Sequence, residues 1–284
     1  MDQNTNQSNT QVYFGIVVIV DALGVSDYPI ADCEKIINNF EELNFQKEEF
    51  LKLFNNEPSK PEWEGAQTLS NIMKNVKTSE FGDSTILAFP IEEKYSIENF
   101  VAIYLIAAHL CTVICQGLTF KVPFRGAISV GKFICNDKRF LGPAISDVAD
   151  WYETTEWFGI IFSPTAQLWL STLIEKNKNN PGGASLMTCF DNFICKYKIP
   201  LKSSLKETLI SQINSDDFFV VAWPSFFHYA SIVDKQDKDK EVFSGKWAFD
   251  LVLSDLPKPK GTELKFKNSI DFFNWYGTMK GIDS

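Results

Sequence analysis

The sequence is poor in arginine, histidine and paired cysteines, and each shortage narrows the function. Of 27 basic residues only Arg125 and Arg139 are arginine, and with 36 Asp and Glu the 284-residue chain has a net charge of −9. Nucleic-acid binding by bulk charge is not expected, because neutralising phosphates requires clustered cations. With two histidines and no Cys-x-x-Cys spacing, a zinc site is not expected either.

A signal peptide is also not evident. The first ten residues, MDQNTNQSNT, are polar and carry a single charge at Asp2, which is atypical of a secretory leader. Residues 1–11 are therefore predicted to be disordered. The six cysteines are interpreted as reduced thiols, and the sequence indicates a cytoplasmic location.

The longest apolar run, Phe100 to Phe120, is long enough to raise the question of a membrane span. It contains His109, Thr112 and Gln116, and it ends at Lys121 shortly before a proline. These polar residues favour a buried core helix, so no membrane contact is expected.

Hydrophobic periodicity predicts an α+β chain. The run Val12–Val20 is a continuous β-branched segment that indicates a buried central strand. Further elements follow: strands at Val76–Ser79 and Thr85–Phe89 around an EFGDS turn, a core helix at 96–118, a strand at 122–134, a helix at 143–157, a strand at Phe158–Ser163 and a helix at 164–177. The order β-α-β-β-α-β-α-β is typical of a ferredoxin-like antiparallel sheet with helices packed on one side.

The remaining segments are less regular. Helical spacing is seen at 31–56 and over a short stretch at 65–75, with a loop at 55–61. Later segments are read as a loop at 177–185, strands at Cys189–Tyr197 and 218–224, a solvated loop at 234–241 and a helix at 262–280. We predict one domain, with a core at 12–177 and an α/β elaboration of that domain at 178–284.

One phosphate-binding motif is rejected. GAISVGKF at 126–133 nearly matches the P-loop pattern G-x-x-x-x-G-K-[ST]. Phe133 replaces the hydroxyl residue that binds magnesium, and residues 127–130 have the composition of a strand.

Two aspartates stand where the predicted strands end. Asp21 follows the buried strand, and Asp83 lies in the turn of the hairpin. If those strands are neighbours, both carboxylates reach one end of the sheet, where with a backbone carbonyl they suit Mg²⁺ or Mn²⁺ holding a triphosphate. The alternative is that each is an ordinary turn or helix-capping residue.

The two arginines lie within 15 residues of each other, although arginine is rare in this chain. Arg forms planar bidentate contacts with phosphates or base edges that Lys does not form. The alternative is that Arg125 and Arg139 are ordinary surface or dimer-interface residues.

Four segments together resemble class III nucleotide cyclases: IVVIVDALGVS (16–26), SEFGDSTILAF (79–89), PFRGAISVGKF (123–133) and FLGPAISDVADWYE (140–153). The branch that they resemble is that of the bacterial Pycsar pyrimidine cyclases. The resemblance covers residues 12–165, and VVAWP (220–224) and KFKNSIDFFNW (265–275) are similar to the tail of that branch.

The resemblance implies roles for individual residues. Asp21 and Asp83 match the two metal-binding aspartates, and the Ala22 backbone matches the carbonyl ligand. Arg125 matches the arginine of the RGAI-type strand. Ser79 and Arg139 fall at the two base-reading positions.

Two positions depart from the wider class. Ser146 and Asp150 fall where other members have the Asn and Arg that steady the ribose and the transition-state phosphate. Arg125 and Arg139 are the candidates to replace that Arg, and weak activity is the alternative. The aspartates are 62 residues apart, so an insertion at about 55–75 lies between them.

The implied activity is cyclisation of a nucleoside triphosphate with two divalent ions, Mn²⁺ or Mg²⁺, per site. The branch makes cyclic UMP or cyclic CMP in anti-phage defence, and we favour UTP over CTP as substrate. The resemblance further implies a homodimer with sites at the subunit interface and a separate cyclic-nucleotide effector protein. The alternatives are a purine (ATP or GTP) cyclase and a catalytically weak nucleotide-binding module.

Overall fold

The computed structural model describes residues 11–24, 72, 74–136, 139–202, 217–228, 245–256, 258 and 260–282, with a few single positions between 30 and 38. The predicted helices at 31–56 and 65–75, the insertion at 55–75 and the solvated loop at 234–241 lie almost wholly outside these ranges. The predicted disorder of residues 1–11 also lies outside them, except that Gln11 begins the first strand.

The fold is built on an eight-stranded sheet within the described residues, with the order β2-β3-β1-β4-β6-β8-β7 and β5 paired to β4. Its strands are β1 (Gln11–Ala22), β2 (Lys77–Phe81), β3 (Ser84–Ile91), β4 (Phe124–Cys135), β5 (Phe140–Leu141), β6 (Gly159–Phe162), β7 (Ile194–Lys198) and β8 (Asp217–Val221). Neighbouring strands are antiparallel except β4 and β6. The predicted α+β class, with a sheet packed by helices, is confirmed.

Six described helices accompany the sheet: α1 (Ile97–Thr119), α2 (Pro143–Trp151), α3 (Pro164–Asn177), α4 (Pro181–Cys189), α5 (Gly245–Asp255) and α6 (Glu263–Lys280). Serine caps explain two of the starts. The Ser96 hydroxyl accepts a hydrogen bond from the Asn99 amide at the start of α1, and Ser163 caps α3 in the same way.

Helix α1 is the apolar run of the sequence. Among the described residues it is the one helix long and apolar enough to cross a membrane, yet 78% of its most apolar stretch is buried inside the structure. Phe100, Ile103, Ile106 and Leu110 have no exposed surface. It is the core helix that its polar residues predicted.

The helices cover both faces of the sheet, which corrects the prediction that they pack on one side. Ser129 of β4 hydrogen-bonds Asp147 of α2 at 2.6 Å, whereas the Phe124 ring of the same strand lies against Gly117 of α1. Residues an odd number apart on a strand point to opposite faces. Strand β1 therefore lies between two layers, which explains why its residues from Ile16 to Val20 are all buried.

The prediction for the end of α2 was wrong. The helix stops at Trp151 and does not continue to 157, because the chain turns to meet the segment near residue 201. Thr155 forms an isolated bridge with Leu201, and the Glu156 amide donates to the Pro200 carbonyl at 2.8 Å. These long-range hydrogen bonds replace those of a further helical turn.

Two predictions in the C-terminal part were also wrong. The segment read as a loop at 177–185 contains the start of α4, since Pro181 stands in a first helical turn where its missing N–H is not needed. The strand predicted at Cys189–Tyr197 begins only at Ile194, after a 3₁₀ turn at Phe190–Asn192. Strand β8 and helix α6 match their predictions closely.

The C-terminal elements pack on the core through aromatic residues. Trp157 and Trp223 are fully buried, and both rings contact Phe272 of α6. The division of the chain at residue 177 into a core and an elaboration stays a prediction.

Candidate active site

The site is organised around Asp21, near the end of the central strand. Antiparallel pairing places Asp21 directly opposite Ser84 of β3 and Arg125 of β4. Directly opposed residues project from the same face of a sheet and contact each other. Ser84 Oγ accordingly donates to Asp21 Oδ1 at 2.6 Å, and Arg125 Nε donates to Asp21 Oδ2 at 2.9 Å.

Arg125 forms a fork between two carboxylates. Its Nη2 lies 2.9 Å from Asp21 Oδ2 and 3.3 Å from Glu153 Oε1. The Arg125 and Asp21 side chains are 12% and 9% exposed, whereas that of Glu153 is 54% exposed. The guanidinium therefore joins a buried carboxylate to one at the surface.

Tyr152 packs beside this pair. The Arg125 guanidinium lies 5.7 Å from the centre of the Tyr152 ring, and the Tyr152 hydroxyl donates to Glu153 Oε1 at 3.1 Å. Burial, and then the neighbouring Glu153 carboxylate, raise the pKa of Tyr152 to about 12. The hydroxyl therefore remains a donor throughout the neutral range.

Asp83 occupies the two-residue turn between β2 and β3. Gly82 precedes it with φ of +61°, which is favourable for glycine and matches the first central residue of a type II′ turn. The Asp83 carbonyl accepts a hydrogen bond from the Ala22 amide at 3.1 Å. This bond ties the turn to the end of β1.

Asp21, Ala22, Asp83 and Arg125 line one open cleft of about 470 Å³. That volume is within the range of about 300–1,000 Å³ typical of small-molecule sites. The other charged side chains in the lining are Glu153, Lys260 and Lys265, and the aromatic ones are Phe81 and Tyr152. Phe81 is 85% exposed at the hairpin tip.

The donor set suits a hard divalent cation in part. Two carboxylates and the Ala22 backbone supply oxygen ligands of the kind that Mg²⁺ and Mn²⁺ take, together with substrate phosphates and water. A carboxylate has about four lone-pair positions, so the bonds from Ser84 and Arg125 leave room on Asp21 for a cation. No cluster of three or more His, Cys, Asp or Glu side chains is found among the described residues.

The other predicted site residues lie outside this cleft in a single chain. Ser79 is on β2, where it pairs with Ile86. Arg139 is exposed, and its backbone amide donates to Asn136 Oδ1 at 2.9 Å. Ser146 and Asp150 are exposed on α2. The roles assigned to these residues stay predictions.

Sequence reasoning missed several lining residues. Ser84 was detectable in principle, because it follows Asp83 and the hairpin register places it opposite Asp21. Tyr152 and Glu153 belong to a motif that was recognised, although neither was singled out. Lys260 and Lys265 had no sequence signal, because only the tertiary fold brings them to the cleft.

A second polar cluster was missed as well. Asp147 Oδ2 accepts hydrogen bonds from Ser129 and Ser163 at 2.6 and 2.5 Å. Both serines are fully buried. Because Ser163 also caps α3, this cluster fixes α2, β4 and α3 relative to one another.

Searches with protein-family models and against curated proteins both find no match. Solved structures of low similarity are guanylyl and adenylyl cyclase catalytic domains. The catalytic core of a rhodopsin-guanylyl cyclase with converted specificity, in complex with ATPαS, has a TM-score of 0.41 and 10% identity, covering 75% of this chain and 98% of that one.

Two further structures are of the same kind. The guanylate cyclase domain from Catenaria anguillulae in complex with GTP has a TM-score of 0.38 and 10% identity, covering 74% of this chain and 97% of that one. A bacterial light-regulated adenylyl cyclase has a TM-score of 0.37 and 12% identity, covering 87% and 58%. At these values the similarity carries no conclusion about substrate or activity.

Proposed function

We propose that this chain is a metal-dependent nucleotidyl cyclase, a phosphorus–oxygen lyase acting on a pyrimidine nucleoside triphosphate. It converts UTP, in preference to CTP, into the 3′,5′-cyclic monophosphate and pyrophosphate. The observation that carries the proposal is that the carboxylates of Asp21 and Asp83 and the guanidinium of Arg125 line one open cleft.

The chemistry asks for few protein groups. The ribose 3′-oxygen attacks the α-phosphorus, the bond to the pyrophosphate oxygen breaks, and the hydroxyl proton passes to solvent. Positioning and charge neutralisation account for most of the acceleration of phosphoryl transfer. A cleft with two carboxylates and a buried arginine suits this reaction.

Each residue has a distinct part. Asp21, Asp83 and the Ala22 carbonyl would hold two divalent ions, Mn²⁺ or Mg²⁺. When bound, such ions supply positive charge to the triphosphate and lower the pKa of the attacking hydroxyl. Arg125 neutralises charge on the phosphates, and its bond to Asp21 also holds that carboxylate in place.

The proposal extends to the assembly. Ser79 and Arg139 read the base and Ser146 contacts the nucleotide in a homodimer whose sites lie at the subunit interface. The cyclic product acts as a second messenger in anti-phage defence, in the cytoplasm, through a separate effector protein.

Mass spectrometry tests the reaction directly. Purified protein is incubated with ATP, GTP, CTP or UTP in the presence of Mn²⁺, and cyclic products are quantified. We expect cyclic UMP as the main product. Cyclic AMP or cyclic GMP would overturn the pyrimidine assignment and leave the cyclase assignment standing.

Asp83→Asn is the sharpest variant. It removes one charge from a turn side chain for which the structure gives no ion pair, so the fold should persist. Removing a metal-binding carboxylate should lower turnover by about 100-fold or more, as loss of major charge stabilisation does. Asp250→Asn, at an exposed position on α5, is the matched control. Wild-type turnover in Asp83→Asn would refute the site.

A second function is favoured by one specific observation. Both oxygens of Asp21 already accept hydrogen bonds, and Ser146 and Asp150 stand where the wider class has Asn and Arg. A nucleotide-binding module without turnover fits these facts. Nucleotide binding that requires Mn²⁺, with no cyclic product from any of the four triphosphates, would establish it.

A further inference from the structure

The C-terminal segment brings two lysines to the cleft. Lys260 and Lys265 stand on either side of the start of α6, and both line the cavity that contains Asp21 and Asp83. Between them Gly261 has φ of +86°, a conformation that side chains other than glycine rarely adopt. This turn sets the direction in which the chain enters the helix.

Neighbouring lysines have partners elsewhere. Lys258 lies 5.7 Å from the centre of the Phe266 ring, and Lys267 lies 3.9 Å from Asp271. Within the described ranges, the Lys260 and Lys265 ammonium groups make no ion pair with a carboxylate. The two lysines of this segment without such a partner are therefore the two that line the cleft.

Charge gives these lysines a purpose. The chain has a net charge of −9, and the cleft itself contains the carboxylates of Asp21, Asp83 and Glu153. A polyphosphate approaching this surface is repelled unless local cations offset the field. Arg125 is already engaged by two carboxylates, so the lysines are the available cations.

We propose that Lys260 and Lys265 bind the polyphosphate of the nucleoside triphosphate, in the same chain that supplies Asp21 and Asp83. This inference rests on the proposed function. An ammonium group is a compact point charge with three rotatable donors, which suits phosphate oxygens whose orientation changes as pyrophosphate leaves. The C-terminal part of the chain thereby completes the site.

Binding of an uncyclisable substrate tests the proposal. The probe is 3′-deoxy-UTP with Mn²⁺, compared with 3′-deoxy-UMP, and the dissociation constants are measured by calorimetry. In Lys260→Gln/Lys265→Gln we expect the triphosphate to bind about tenfold or more weakly, because charge-assisted hydrogen bonds are of the stronger kind. The monophosphate should bind nearly as in the wild type, and the salt dependence of triphosphate binding should decrease.

Lys267→Gln is the matched control, since it removes one charge from the same helix at a residue paired with Asp271. It should retain wild-type affinity. If the wild type binds the triphosphate and the double variant binds it equally well, the lysine assignment is overturned alone. If the wild type binds no triphosphate in the presence of Mn²⁺, the proposed function fails and this inference fails with it.

Discussion

At the scale of single residues, the contacts of Asp21 follow from its place on the middle strand of three. It has a cross-strand partner on each side, Ser84 and Arg125, and both meet its carboxylate. The pair with Arg125 is nearly buried. Removing one partner of a buried ion pair leaves an uncompensated charge, which costs more than the pair itself contributes.

A double-mutant cycle on this pair should show an asymmetry. Arg125→Met strands the Asp21 carboxylate and should lower the free energy of unfolding by about 3 kcal/mol. Asp21→Asn should cost less, because Arg125 retains Glu153. The double variant should cost less than the sum of the two. Urea unfolding measures all three, and strict additivity would show that the pair is not coupled.

Tyr152 gives a prediction in alkaline solution. Its pKa is raised from 10.0 to about 12 in the folded chain, by burial and by Glu153. Below pH 10 both states hold the proton, whereas between pH 10 and about 12 the unfolded state loses it first, so stability falls. Raising the pH from about 9 to about 11 should therefore destabilise the wild type more than Tyr152→Phe in urea unfolding. Equal losses would contradict the role of burial.

Part of the site was predictable residue by residue. Asp21, Asp83 and Arg125 were found because a buried strand, a hairpin turn and a motif each mark a place in the sequence. Their meeting in one cleft confirms the predicted convergence of the two carboxylates. Glu153 and the two lysines were not found, because their places depend on how α2 ends and on how α6 docks.

At the scale of elements, the contact between α1 and β4 depends on a residue without a side chain. A Cβ at Gly117 would lie 2.3 Å from the Phe124 ring and 2.6 Å from the Val122 carbonyl oxygen. The backbone oxygen cannot rotate away. The helix therefore approaches the strand at a distance that only glycine permits.

Gly117→Ala should accordingly destabilise the fold. Alanine gains about 1 kcal/mol of helix propensity over glycine, whereas overpacking of a core contact costs about 1–3 kcal/mol. With two close contacts, one of them to backbone, we expect a net loss of about 2 kcal/mol. Chemical denaturation measures it.

Gly182→Ala is the control for this prediction. That glycine lies in α4, and a Cβ there would meet only Ile97 side-chain carbons at 3.5 Å or more. It should be neutral or slightly stabilising. If both variants behave alike, the close approach of α1 and β4 is not what sets the effect.

Elements were predictable where local signals were strong. The core helix and α3 were placed within one or two residues of their observed bounds, since both follow Ser caps and have sustained periodicity. The end of α2 and the start of β7 were misplaced. Their limits are set by hydrogen bonds to the segment near residue 201 and by a 3₁₀ turn, which short-range patterns do not contain.

At the scale of the whole molecule, the depth of the core shows in the thiols. Burial raises the pKa of Cys111, Cys115 and Cys195. Because the thiolate is the reactive form, these three should react slowly with a thiol reagent at neutral pH in the native protein. Cys33 and Cys189 are partly exposed and should react first. Peptide mapping after brief labelling checks the order, and rapid labelling of Cys111 would contradict this packing.

The overall architecture was predictable because alternation of strands and helices fixes few arrangements. What the sequence could not reveal was the layer count: helices pack on both faces of the sheet, and the C-terminal aromatics cover part of the core. Such docking depends on shape complementarity between distant segments, which no local pattern encodes.

The cleft also has a consequence for the order of events during protein synthesis. Its walls come from residue 21, from the hairpin at 83, from residues 125 and 153, and from residues 260–265. A nascent chain can fold much of its sheet while still attached to the ribosome, yet the last wall leaves the exit tunnel only near the end of translation. The cleft is therefore completed only in nearly finished chains, and no partly made chain presents its full lining.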